Sequence, residues 1–335
     1  MKRRLLFFFR AKCSKSVHEP IQNTSKIPLL KIMLGAGVLS YAYYVYKDFK
    51  EAMARESVYR ISPYRLFLYR TLPLSLSTYL AGKASSWKIP RWLRAPLYGS
   101  FSQIYGCDLS ECESLETYPT FNDFFKRKLR VGVRHIVDEE MVSPADGQIL
   151  AYGKLDDTTG LFPEQIKGVR YPLEKFLGKE SITLDFGNGK SLYYCTIYLA
   201  PGSYHRFHSP ANDFKVKSVE RVPGELLPVA PWLLRRMPGL VSLNERAVIS
   251  GWWKYGRMFM VPVGALNVGS ITIAEKIDRV KRGEEMGNFE MGSLIALVFE
   301  GPADFKFIPA KQQWLKYGEA LGSRTSDKSW VSWFF

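Results

Sequence analysis

Cysteine is scarce in this chain: four in 335 residues. Cys13, Cys107, Cys112 and Cys195 show no C-x-x-C spacing, so neither a disulfide scaffold nor a cysteine-built zinc site is indicated. Histidine is equally sparse, at His18, His135, His205 and His208. No phosphate-cradling glycine loop and no repeated βαβ alternation occurs, which disfavours a nucleotide-binding doubly wound fold. The G-x-S-x-G elbow of many serine hydrolases is missing too, and there is no internal repeat or low-complexity tract. Acidic residues are few in the first third, where residues 1–100 hold 18 Lys/Arg against 4 Asp/Glu. That surplus of 14 accounts for nearly all of the net charge of +15. The remaining body is close to neutral and has no Arg-rich stripe, so a nucleic-acid partner is not expected.

What is present begins with a basic start that holds no acid before Glu19. Lys2, Arg3, Arg4, Arg10, Lys12 and Lys15 interleave with Leu5, Leu6, Phe7, Phe8 and Phe9, a pattern that resembles a mitochondrial presequence over residues 1–26. Residues 27–46 carry Lys31 as their only charge, and a helix of that length spans roughly 30 Å, the thickness of a bilayer core. A single transmembrane helix is expected there, with Tyr41, Tyr43, Tyr44 and Tyr46 as interfacial aromatics; a buried core helix is the alternative. Residues 47–135 read as a helical, membrane-proximal region. It has a helix start at Ser62-Pro63, and its runs of aromatic, aliphatic and cationic residues suit an interface as well as ordinary packing.

After Val142 the texture changes to short β-branched and aromatic segments. Ser181 to Phe186 and Ser191 to Leu199 flank Gly187-Asn188-Gly189-Lys190, a hairpin signal. Phe214–Val222, Met258–Val263, Ser270–Ala274, Leu294–Phe299 and Phe305–Ile308 continue the series. The expected fold class is α+β: a mainly β catalytic domain over 136–335 behind a helical N-terminal region.

Three short segments carry the candidate chemistry: Ser143-Pro144-Ala145-Asp146-Gly147, Tyr204-His205-Arg206-Phe207-His208-Ser209-Pro210, and Met291-Gly292-Ser293-Leu294. His205 and His208 are three apart, a spacing that on a helix or tight turn puts both rings on one side. A metal pair lacks a third ligand nearby. Asp146, His208 and Ser293 fit a carboxylate that orients an imidazole that deprotonates a hydroxyl. Two enzyme classes follow: a serine hydrolase, or a self-processing protein whose serine attacks its own preceding carbonyl. A membrane-tethered β module without catalysis is the third reading.

The ordered set of motifs is specific. Phe121-Asn122-Asp123-Phe124-Phe125-Lys126-Arg127, the Asp146 and His208 segments, Asn244-Glu245-Arg246, Val263-Gly264-Ala265-Leu266-Asn267-Val268-Gly269-Ser270-Ile271 and Gly283-Glu284-Glu285-Met286-Gly287 together resemble phosphatidylserine decarboxylases, most closely the mitochondrial membrane-bound type. The resemblance runs from about Pro63 to Ser323. It implies self-cleavage between Gly292 and Ser293, with Asp146, His208 and Ser293 as the triad, into a β chain ending at Gly292 and a 43-residue α chain. Ser293 would become a covalent pyruvoyl group, with no pyridoxal phosphate and no metal. The pyruvoyl would form an imine with phosphatidylserine and release carbon dioxide and phosphatidylethanolamine. His205 would serve the decarboxylation step as proton donor or carboxylate contact. The partners implied are the membrane lipid and the chain's own two fragments, with a homo-oligomer left open. The location implied is the mitochondrial inner membrane, single-pass, with the catalytic body in the intermembrane space. At the cut site this chain reads Met-Gly-Ser-Leu where the family commonly reads Leu-Gly-Ser-Thr, so position 294 lacks a hydroxyl.

Overall fold

The structure is a computed structural model that describes residues 82–155, 161–163, 170–178, 189–224, 226–234, 240–265, 271–290 and 293–325. The presequence-like segment, the expected transmembrane run 27–46, the Ser62-Pro63 helix start, the first arm of the 181–199 hairpin and Gly292 lie outside the described residues. Among the described residues no helix is long and apolar enough to cross a membrane.

Among the described residues, helix α1, Arg91–Tyr105, and helix α2, Phe121–Phe125, precede sixteen strands, and further short helices lie between the strands. The strands are β1 Met141–Val142, β2 Gly147–Lys154, β3 Leu161–Pro163, β4 Arg170–Pro172, β5 Lys190–Leu199, β6 Arg206–His208, β7 Phe214–Val222 and β8 Arg246–Trp253. They continue with β9 Gly256–Val263, β10 Ile271–Ile273, β11 Arg279–Val280, β12 Glu285–Phe289, β13 Ser293–Pro302, β14 Phe305–Phe307, β15 Trp314–Leu315 and β16 Ala320–Arg324.

Eight strands form one antiparallel sheet in the order β11-β7-β8-β9-β13-β5-β2-β15. Both faces are covered. Ile295, Leu297 and Phe299 of β13 join Cys195 and Ile197 in one core, while Leu294, Ala296 and Val298 join Leu192 and Tyr194 in the other. A strand buried on both faces reads as a continuous apolar run, not an alternating one. Burial of each large side chain here contributes about 1.5–3 kcal/mol. The first core is closed by the small sheets β1-β16-β14 and β10-β12-β6, through Met141, Leu321, Phe305, Phe207, Met286 and Phe289. The second is closed by the helix Leu173–Leu177 and the segment carrying Leu227 and Val229.

The mainly β expectation holds for the described residues between 136 and 325, and β7, β9, β10, β13 and β14 fall where the sequence places strands. Strands β2 and β8 carry no expectation. The turn between β8 and β9 is Lys254-Tyr255 before Gly256, without the Asn-Gly or Asp-Gly signal that marks such hairpins. Within 82–135, helix is confined to 82–85, α1, a single turn at Leu115–Thr117 and α2. These pieces are held by aromatic packing. Tyr98 of α1 stacks on Phe124 of α2 at 4.5 Å between centroids, and its hydroxyl donates to Tyr118 O at 3.0 Å. The start of α2 is capped by Thr120, whose Oγ1 accepts from Asp123 N.

Candidate active site

Ser293 opens β13 opposite Leu199, the last residue of β5. It is fully buried and its Oγ has no hydrogen-bond partner. A buried hydroxyl left unpaired costs about 1–3 kcal/mol, so the position is expensive for a residue with only a packing role. Leu294 points the other way, into the second core at 1% exposure. A threonine there would bury its hydroxyl among Val263, Ala296 and Val298, all in the same cluster.

Asp146 stands at the same end of the sheet. It immediately precedes β2, in which Gln148 pairs with Tyr198 of β5. One strand therefore separates Asp146 from Ser293, a backbone spacing on the order of 10 Å. Gly147 makes this approach possible, because a Cβ there would lie 2.4 Å from Tyr198 O. The Asp146 carboxylate accepts from Arg134 Nη2 at 2.6 Å on Oδ2 and from the Tyr317 amide at 2.8 Å on Oδ1. Arg134 Nη2 also donates to Glu111 at 2.6 Å, and Lys316 Nζ reaches the other Glu111 oxygen at 2.8 Å. Burial raises the Asp146 pKa, with the Arg134 charge and the Tyr317 amide acting against it.

His208 lies in β6. Its Nδ1 is 2.9 Å from Gly283 O. A carbonyl only accepts, so Nδ1 carries the proton of the neutral ring and Nε2 keeps its lone pair. Nε2 accepts from the Tyr204 hydroxyl at 3.2 Å. The ring lies parallel to Tyr317, with centroids 4.0 Å apart and planes 7° apart. Burial lowers the His208 pKa to about 4, so the ring is neutral at neutral pH. Gly283 presents its carbonyl from a left-handed conformation, φ +77°, with Ile136 packed where a Cβ would project.

Asp146 and His208 thus share Tyr317: its amide binds one and its ring stacks on the other. They make no hydrogen bond to each other, and Gly283, not Asp146, holds the imidazole. His205 faces elsewhere. Its ring is 4.0 Å from that of Phe125, Nδ1 is 2.8 Å from Ser203 O, and Nε2 is buried without a partner. Burial lowers its pKa to about 3. The one-sided reading of the two histidines is corrected here. The segment runs into the strand Arg206–His208, and three residues of extended chain turn side chains to opposite faces.

A cavity of about 480 Å³ adjoins this end of the sheet, lined among others by Asp146, Gly147, Ala200, Tyr204, Arg127 and Tyr105. Among the described residues no three His, Cys, Asp or Glu side chains converge as a metal site would require. Sequence reasoning overlooked Arg134, Glu111 and Tyr317, which sit outside the quoted motifs. Tyr204 and Arg127 sit inside those motifs, without a role assigned.

Known proteins share this chain's pattern over most of its length. The family model for phosphatidylserine decarboxylase matches residues 121–323. The mitochondrial phosphatidylserine decarboxylase proenzyme of Rattus norvegicus is 33% identical over 362 aligned residues, 92% of this chain and 88% of the relative. That of Caenorhabditis elegans is 36% identical over 310, covering 85% and 80%. The phosphatidylserine decarboxylase proenzyme of Anaeromyxobacter sp. (strain K) is 36% identical over 285, covering 77% and 98%. The matched span runs from α2 through the buried serine at the start of β13 to β16, and on that breadth the chain belongs to the phosphatidylserine decarboxylase family.

Proposed function

We propose that the chain is a self-processing, pyruvoyl-dependent enzyme that converts phosphatidylserine to phosphatidylethanolamine and carbon dioxide in phospholipid biosynthesis. The observation that carries this reading is the Ser293 hydroxyl, buried without a partner at the mouth of β13, in a chain of this family. Ser293 Oγ attacks the Gly292 carbonyl as His208 Nε2 takes its proton, and that proton passes to the departing Ser293 nitrogen. The C–N bond breaks and an ester forms. Loss of the Ser293 α-proton and cleavage of the Cβ–O bond then release the Gly292 carboxylate and leave dehydroalanine. Addition of water and loss of ammonia convert it to the terminal ketone.

His208 suits the role of base because burial keeps it neutral and Gly283 fixes the proton on Nδ1. Asp146, bound by the amide of the same Tyr317 whose ring stacks on His208, offers negative charge to the imidazolium. The ketone, once formed, supplies an electron sink for the electrons released with carbon dioxide. His205, held neutral with its ring proton on Nδ1 toward Ser203 O, has a free Nε2 lone pair, which takes up a proton and passes it to the carbon that has lost the carboxylate.

A lipid with two acyl chains leaves a bilayer at a cost of roughly 0.8 kcal/mol per methylene, so the site must come to the membrane. The outer face of α1 fits that contact: Leu93, Leu97 and Ile104 fall on one stripe, and Trp92 and Ile104 are 78% and 74% exposed. Tyr105, at the end of α1, lines the cavity. Relatives named mitochondrial, together with the basic start and the apolar run 27–46, support a single-pass inner-membrane protein facing the intermembrane space, active as a complex of its two fragments.

Intact-mass analysis of the purified protein is the direct test. The wild type should yield a 43-residue chain, 293–335, with a blocked pyruvoyl terminus. Ser293→Ala should remain one chain and release no carbon dioxide; an uncut alanine variant with full turnover would end the proposal.

A further inference from the structure

Two cations line the cavity beside Asp146, and they differ in one respect. Lys316 is paired with Glu111 at 2.8 Å and Asp108 at 3.6 Å. Arg127 has no carboxylate partner among the described residues. It is 3% exposed, yet only Nη2 is engaged, donating to Gly202 O at 3.1 Å. Nε and Nη1 are buried with no acceptor. The other face of the guanidinium lies over the Phe124 ring at 5.3 Å. Asp146, on the same cavity, is already held by Arg134 and Tyr317. A guanidinium taken out of water without a counter-charge is costly, and buried donors are rarely left unmade without a reason.

We infer that Arg127 is the anion-recognising residue of this cavity, its free N–H donors taking the phosphodiester of the lipid headgroup; the assignment rests on the lipid-decarboxylase reading above. The headgroup carries two anions, and the chemistry separates them. The carboxylate leaves as neutral carbon dioxide, so a cation clamped on it would stabilise the ground state more than the transition state. The phosphodiester keeps its charge throughout, and binding it holds substrate and transition state alike. The planar fork of an arginine also matches two phosphate oxygens at once. Placement agrees with this: Arg127 follows α2, which packs on α1, and Tyr105 at the end of α1 lines the same cavity.

The test uses the full chain in detergent with a short-chain phosphatidylserine. Arg127→Gln should still cut itself, and its KM should rise about tenfold or more while kcat changes little, the signature of lost uniform binding. Glycerophosphoethanolamine, which has the phosphodiester and no carboxylate, should compete with substrate in the wild type and about tenfold more weakly in the variant. Inhibition by free L-serine, which has the carboxylate and no phosphate, should be the same in both. Arg127→Lys keeps the charge without the fork and should fall between; it carries the comparison if Arg127→Gln fails to cut. An unchanged KM with inhibition by glycerophosphoethanolamine intact would overturn the assignment, and so would a fall in kcat alone with altered serine inhibition. A wild type that neither cuts nor releases carbon dioxide would instead sink the decarboxylase reading itself.

Discussion

Arg134 shows how much of this site rests on a single side chain. Its Nη2 lies 2.6 Å from both Glu111 and Asp146, and its guanidinium sits 5.5 Å from the Tyr317 ring centroid. Removing it leaves two carboxylates facing each other with only Lys316 and a backbone amide in support. Arg134→Met should therefore destabilise the uncut Ser293→Ala protein by about 3–5 kcal/mol, as breaking a buried ion pair does, read from the denaturant midpoint. A loss under about 1 kcal/mol would mean that the pair behaves like an exposed surface bridge. The serine, aspartate and two histidines were legible in the sequence because each sits in a short motif of distinctive residues. Arg134 and Tyr317 were not, since each acts through a contact made only after distant segments pack: Tyr317 reaches Asp146 across 171 positions.

Among the elements, α1 and β13 divide the work. Strand β13 is central and buried on both faces, which fixes Ser293 at the sheet's end by ten paired residues against β5. Its apolar run was readable as a strand, whereas β2 and β8, with mixed residues and an unmarked turn, were not. Helix α1 buries Tyr98 and Ser102 and leaves the opposite stripe to solvent. If that stripe meets the bilayer, Leu97→Glu combined with Ile104→Glu should lower kcat/KM on long-chain lipid in vesicles about tenfold, roughly 1.4 kcal/mol. Turnover of a monomeric short-chain lipid and self-cleavage should not change. Equal losses on both substrates would place the defect in the fold instead.

For the molecule as a whole, the buried histidines set a pH limit. An unfolded histidine takes a proton near pH 6.5. In the folded chain His208 does so only at about 4 and His205 at about 3, both because of burial. The unfolded state therefore binds more protons between pH 6.5 and 4, and stability falls as pH drops through that window. Each histidine contributes about 1.4 kcal/mol per pH unit. Asp146 works the other way: its raised pKa lets the folded chain take a proton first as acid is added. On the uncut Ser293→Ala background, His205→Gln should reduce the slope of unfolding free energy between pH 4.5 and 6 by about 1.4 kcal/mol per unit. An unchanged slope would show that His205 titrates normally in the folded protein.

The family and the mainly β body were determined by the sequence alone, as was the choice of Ser293 as the candidate nucleophile, because motif order and apolar runs are properties of the covalent chain. Tertiary structure decided which groups touch. Gly283 holds His208, Arg134 holds Asp146, and Arg127 is left with open donors. Hydrogen bonds of this kind need their atoms within about 3 Å of one another, a condition met only when segments far apart along the chain are packed around a common core.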